Sequence, residues 1–125
     1  MESGQHTNML ILFYLASPYT NPRREVVLER VHKVNLAAAH LFKKGYFVFA
    51  PICHTHSIRD CCNFLEGYWE FWQDYDKKML SLCDELVILT LPGWTDSKGV
   101  IEEIAYAKVL KMPISYLDPD TFIIT

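Results

Sequence analysis

The chain lacks a hydrophobic run near the ~20 residues that a membrane-spanning helix needs. It also lacks a basic cluster, internal repeats, low-complexity segments and linker-like stretches. Twelve Lys and Arg against fifteen Asp and Glu leave a net charge of −3, so the electrostatic footprint of a nucleic-acid binder is missing. Neither membrane nor nucleic acid is an expected partner. No phosphate-cradling P-loop pattern and no dinucleotide fingerprint occurs, which disfavours ATP hydrolysis and nicotinamide-dependent redox. The expected cofactor complement is none. Met9 to Ala16 is apolar but short, without the basic leader and small-residue cleavage site of a signal peptide. Four cysteines (Cys53, Cys61, Cys62, Cys83) in such a chain imply reduced thiols and a cytoplasmic location.

What is present is a chain of 125 residues, half of them hydrophobic, long enough for one domain with a real core. Its elements read strand, helix, strand, helix, strand, helix, strand. Met9 to Ala16 is the first strand, followed by the turn Ser17-Pro18-Tyr19-Thr20. Asn21 is placed to cap a helix that opens at Pro22. Val27, Val31, Val34, Ala38 and Leu41 give that helix one apolar face, and Gly45 supplies its stop. Tyr46 to Ala50 is a second strand ended by Pro51, and Ile52 to Asn63 reads as polar and irregular. A second helix is expected from about Phe64 to Cys83, a third strand over Leu86 to Leu91, a third helix from about Gly99 to Leu110, and a fourth strand over Ile114 to Leu117. Phe122 to Ile124 is either a short fifth strand or a tail that pairs at an edge. Alternating strands and helices predict an α/β Rossmann-like three-layer sandwich with a parallel sheet of four to five strands.

The most informative stretch is Leu91-Pro-Gly-Trp-Thr-Asp-Ser-Lys-Gly-Val-Ile-Glu-Glu-Ile-Ala-Tyr-Ala107, in which a strand turns and opens a helix carrying Glu102 and Glu103. Open α/β sheets bind ligands beyond the carboxyl ends of their strands, which is where this loop belongs. Acidic residues also settle at helix N-termini because the macrodipole favours them, a reading that covers one glutamate on its own. Adjacent helical residues point about 100° apart, so Glu102 is assigned to solvent and Glu103 to the loops. Asp76 lies about seven residues, roughly 10 Å, before the end of the second helix, while a six-residue strand spans roughly 20 Å. Asp76 therefore reaches the upper half of the sheet, and two carboxylates converging on one pocket suit acid and nucleophile roles at a glycosidic carbon.

The segment Phe13-Tyr14-Leu15-Ala16-Ser17-Pro18 resembles the opening of the nucleoside 2-deoxyribosyltransferase superfamily. Asp76, eight residues before Asp84 and an apolar strand, is similar to the spacing around that superfamily's catalytic aspartate. Gly99, four residues before Glu103 and followed by Ile104-Ala-Tyr-Ala107, is similar to its nucleophile segment. The resemblance spans about Met9 to Leu117, takes in the deoxynucleoside 5′-monophosphate N-glycosidases, and is strongest to small uncharacterised deoxyribosyltransferase-like domains that share Leu91-Pro-Gly-Trp94 and Pro51-Ile-Cys-His54. It implies cleavage or transfer at the N-glycosidic bond of a nucleoside or nucleoside 5′-monophosphate. Glu103 would be the nucleophile at C1′, Asp76 would protonate or orient the departing base, and Tyr14 would hold the nucleophile. Ser17, Ser97, Gly99, His54 and Trp94 complete the expected substrate-binding set. Two departures bear on phosphate: Tyr19 stands where the monophosphate glycosidases carry an arginine, and the chain ends before their further phosphate contact, leaving Arg23, Arg24 or Lys98 as substitutes.

Cys53-His54-Thr55-His56 with Cys61-Cys62 invites a zinc reading, but structural zinc sites pair cysteines two to four apart and close with a second such pair. No metal is expected. Tyr68, Trp69, Phe71, Trp72 and Tyr75 exceed one helical face, so some belong over a base-binding pocket or at a subunit interface. The expected partners are thus a small nucleoside or nucleotide and further copies of the chain, as homodimer or homotetramer. The rival reading is a non-catalytic nucleotide-binding module of the same fold.

Overall fold

The computed structural model describes residues 10–61 and 69–125. Four strands, β1 (Leu12–Ala16), β2 (Phe47–Phe49), β3 (Glu85–Leu89) and β4 (Ile114–Leu117), form an all-parallel sheet of order β2-β1-β3-β4. Among the described residues, four named helices connect and cover them: α1 (Arg24–Lys43), α2 (Pro51–Cys61), α3 (Trp69–Ser81) and α4 (Lys98–Val109), with a 3-10 turn at Trp94–Asp96. The expected Rossmann-like α/β sandwich is the observed fold.

Strand alternation divides the core in two. Phe13, Leu15, Val87 and Leu89 pack with Val34, Ala37, Ala38 and Leu41 of α1 and Ile52 of α2. Tyr14, Ala16, Leu86 and Ile88 point the opposite way, onto Leu80 of α3 and Val100 and Ala107 of α4. Central parallel strands buried on both faces read as unbroken apolar runs, which is what Leu86 to Leu89 shows. Asp84, whose spacing was noted from the sequence, closes the start of this pair: its carboxylate accepts from the Leu12 amide at 2.8 Å and its own amide donates to Leu12 O.

Two expectations are corrected. Residues 51–61 are a helix, not irregular chain: Pro51 opens α2 at the position where a missing N–H costs nothing, and Pro51, Ile52 and Thr55 anchor it. The short inward stripe, with Thr55 Oγ1 donating to Pro51 O at 2.8 Å, gave little periodicity to read. Asn21 does not cap a helix at Pro22. Its Oδ1 accepts from the Arg23 amide at 2.9 Å in a local turn, and α1 begins at Arg24. The expected start of the next helix, Phe64, lies outside the described residues. The carboxyl-terminal segment is a tail rather than a strand, with an antiparallel bridge from Ile124 to Leu117.

Above the sheet, Arg30 of α1 ties two connections together, donating to Thr20 O at 2.9 Å and Pro92 O at 3.3 Å. Gly93, next to this contact, sits at φ +92°, and a Cβ there would lie 2.8 Å from Arg30 Nη2. Gly93→Ala should therefore lower stability by about 1–2 kcal/mol, through left-handed strain and the displaced guanidinium. Urea melts should show a lower midpoint at unchanged slope, and an unchanged midpoint would refute the assignment.

Candidate active site

β1 and β3 are neighbours whose onward connections leave in opposite directions, so a crevice opens between their carboxyl ends. A cavity of about 290 Å³ occupies this position, at the low end of the roughly 300–1,000 Å³ of small-ligand sites. Its walls are the end of β1 (Ala16, Ser17), the β1–α1 turn (Tyr19, Thr20), α2 (Pro51, Ile52, Arg59), α3 (Trp69, Trp72, Asp76) and the start of α4 (Ser97, Gly99, Glu103).

Each wall follows from a local pattern. Trp69, Trp72 and Asp76 recur at three and four residues, so one face of α3 carries two indoles and a carboxylate to the cavity. Ser97 caps α4 by accepting from the Val100 amide at 3.4 Å, which sets Lys98 and Gly99 at the cavity rim. Gly99 leaves room for Trp69, whose ring carbon would stand 3.4 Å from any Cβ there. Glu103, one turn further along, is 5% exposed, while Glu102 is half-buried on another face.

The Glu103 carboxylate accepts from the Tyr14 hydroxyl, which is fully buried on β1. Asp76 is also buried, and its Oδ1 has no hydrogen-bond partner among the described residues; the same holds for Ser17 Oγ. Burial pushes the Glu103 carboxyl up to about 8, against the opposing pull of the Tyr14 hydrogen bond and with help from Asp76's charge. Burial likewise raises Asp76 to about 6, partly offset by Arg59. Tyr14 is driven well above its ordinary value, first by burial and then by the charges of Glu103 and Asp76, so it stays a donor. Two carboxyls with raised values facing one cavity is the arrangement expected of acid–base and nucleophilic groups.

Of the residues singled out from the sequence, Glu103, Asp76, Ser17, Ser97 and Gly99 line the cavity, and Tyr14 stands behind Glu103. His54 does not reach it: its ring is exposed and its Nδ1 lies 3.0 Å from the Tyr75 hydroxyl. Trp94 also turns away, packing 5.6 Å from the Tyr116 ring against the second core cluster. His56, which pairs with the Tyr19 hydroxyl at 2.8 Å, points apart from His54. Arg59 escaped the sequence reading because its segment was taken as irregular. As a helix, that segment puts Arg59 seven residues from Ile52, on the same cavity-facing side.

Residues 12–118 match the sequence profile of the family described as a domain of unknown function, DUF1937. The chain belongs to this family. A search of curated proteins finds no significant match. Among solved structures, the chain is similar to the 2-deoxyribosyltransferase of the psychrotolerant bacterium Bacillus psychrosaccharolyticus, at 24% identity and a TM-score of 0.56 over 91% of this chain and 77% of that one. At that identity the likeness establishes the shared fold. In this chain the family's domain is a four-stranded parallel sheet with a carboxylate-lined crevice between the carboxyl ends of β1 and β3.

The raised carboxyls make stability depend on pH. Between pH 4.5 and about 8 the folded chain keeps a proton on Glu103 that the unfolded chain has released, so stability falls as pH rises through this window. Asp76 adds the same sign between 3.8 and about 6. Glu103→Gln keeps an acceptor for Tyr14 and removes the buried charge. Its melting temperature should gain on the wild type as pH rises from 5 to 8.5, by at least about 5 °C at the upper end. A difference that is flat with pH would contradict the raised value.

Proposed function

We propose that this protein cleaves or transfers at the N-glycosidic bond of a nucleoside or nucleoside 5′-monophosphate. The observation that carries the reading is Glu103, buried on α4, held by the Tyr14 hydroxyl and facing the same cavity as Asp76. A Glu103 carboxylate oxygen forms a bond to C1′ as the C1′–N bond breaks, its electron pair leaving with the base nitrogen. Asp76 delivers the proton that neutralises the leaving base, and water or a second base then takes the sugar from Glu103. Tyr14 holds the carboxylate's rotamer, and Trp69 and Trp72 offer flat surfaces for a planar base. The fold shared with a 2-deoxyribosyltransferase supports the reading.

Incubation with a panel of nucleosides and 5′-monophosphates, with free base followed by chromatography, tests it. Glu103→Ala should remove base release while leaving ligand binding nearly intact, whereas Glu102→Ala should change it little. Equal activity of these two variants would sink the nucleophile assignment. The pH dependence of kcat/KM should be bell-shaped, with limbs near 6 and 8, because the active form carries one proton on the carboxyl pair, in the less populated arrangement with Glu103 ionised and Asp76 protonated. Asp76→Asn, which fixes the neutral state at that position, should lose the alkaline limb and lower the rate most for poor leaving bases.

The same proposal extends to assembly and location: a single-domain cytoplasmic protein, working without metal or cofactor as a homodimer or homotetramer. Among the described residues no helix is long and apolar enough to cross a membrane. Phe71 and Tyr75 of α3 turn outward, 46% and 36% exposed, and form the apolar surface for a second subunit. Light scattering at tens of micromolar should report at least a dimer, and Phe71→Glu should shift it toward monomer. A wild-type monomer at that concentration would contradict the assembly.

A further inference from the structure

Asp76 sits in the cavity wall where its ionised form is poorly provided for. The residue is 8% exposed, and Oδ1 has no hydrogen-bond partner among the described residues. In the reaction proposed above, the Asp76 O–H bond breaks as an N–H bond forms on the departing base. The electron pair of the broken bond stays on the Asp76 oxygen. A carboxylate formed at a site that water reaches poorly needs compensating charge from the protein itself.

The groups around Asp76 leave one source for it among the described residues. Glu103 of α4 and Tyr14 of β1 are neutral or negative, as is Tyr19 of the β1–α1 turn. Glu70, Asp96 and Lys98 also line the cavity but are exposed, and Lys98 pairs with Glu70 at 3.1 Å. On α3 itself, Lys77 turns to the Tyr106 ring, 5.8 Å from its centroid. Arg59 of α2 is the remaining cation of the lining.

Its position is fixed by packing. The guanidinium carbon lies 4.6 Å from the centroid of the Tyr19 ring and 4.6 Å from that of Trp72. Trp72 and Asp76 are four residues apart on α3, so the ring that holds the guanidinium is one turn from the carboxyl, on the same face. A lone arginine on a flexible stem can swing away from a carboxylate, whereas one held against two rings must leave both to do so. The coupling runs in both directions. Burial lowers the Arg59 pKa, and the charges of Tyr19 and Asp76 oppose this. Burial raises Asp76, and Arg59 offsets part of that rise.

Resting on the glycosidic reading, we propose that Arg59 is a positioning residue for the acid step: held against Tyr19 and Trp72, it receives the negative charge that Asp76 acquires when its proton passes to the base. The same field lowers the share of molecules with the proton on Asp76 and raises the readiness with which that proton leaves. Arg59 thereby keeps Asp76 the stronger acid of the carboxyl pair.

Two readouts on the full chain test this: the acid limb of the kcat/KM profile, and the carbon-13 resonance of the Asp76 carboxyl, assigned with Asp76→Asn. Arg59→Met should move both upward by at least about half a pH unit, with a smaller change in the alkaline limb. Arg59→Gln should do the same, and Arg59→Lys should bring both most of the way back by restoring the charge. A side chain that merely fills space would be replaced by methionine with neither readout moving, and that result would overturn the inference. The wild-type spectrum decides even if the variants fold poorly, because an Asp76 that ionises at higher pH than Glu103 contradicts it. Base release with an acid limb and resonance indifferent to Arg59 sinks this inference and leaves the glycosidic reading standing. A resonance that moves, with no base released from any nucleoside or nucleotide, retains the Arg59–Asp76 coupling and sinks the glycosidic reading.

Discussion

The hydrogen bond from the Tyr14 hydroxyl to the Glu103 carboxylate joins the middle of the sheet to the helix that follows β3. A carboxyl with 5% exposure needs a partner, because an unsatisfied buried group costs more than most single packing contacts contribute. Tyr14 supplies it from the face of β1 opposite to Phe13 and Leu15, so the phenol belongs at once to the core and to the crevice. The register of β1 against β3 fixes how high the hydroxyl stands, and the Ser97 cap fixes where Glu103 begins its turn. A slip of one residue in either element would turn the phenol to the other face of the sheet or carry the carboxylate away from it.

This bond also explains why the site is poised rather than relaxed. Tyr14 favours the charged form of Glu103, while burial and the nearby Asp76 disfavour it, and burial prevails. In the proposed reaction, the ionised form of Glu103 is held partly against its own environment, and developing positive charge at C1′ would relieve that conflict. The raised Glu103 value implies lower stability at neutral and alkaline pH, the relation expected where a scaffold holds a functional group.

Much of this architecture was legible in the sequence. The apolar run read as Leu86 to Leu91, the Val27 to Leu41 stripe and the Gly45 stop are local signals with a single physical meaning, and they placed the sheet and α1, with β3 itself ending at Leu89. The distinction between Glu102 and Glu103 followed from helical geometry. Residues 51–61 were harder, because a helix whose inward face is Pro51, Ile52 and Thr55 carries too few apolar residues to show a period. Missing that helix hid Arg59, and it also made His54 look like a loop ligand when it is a surface partner of Tyr75. Trp94 misled for a different reason. An aromatic residue beside a candidate site is as readily a plug for the core, and here it packs against Tyr116.

The carboxyl-terminal tail has a consequence for the sheet as a template. Thr125 exchanges backbone hydrogen bonds with Tyr116, and Asp118 accepts from the amides of Asp120 and Thr121 to turn the chain back on itself. His40 stacks on Phe122 at 3.8 Å and Lys44 donates to Phe122 O, pinning the returning segment to α1. The carboxyl half of the outer side of β4 is thereby occupied by the chain itself, running antiparallel. At the opposite margin, β2 offers three residues. Among the described residues, an edge that short is a poor seed for strand addition by a neighbouring chain, and the returning segment covers part of the other edge.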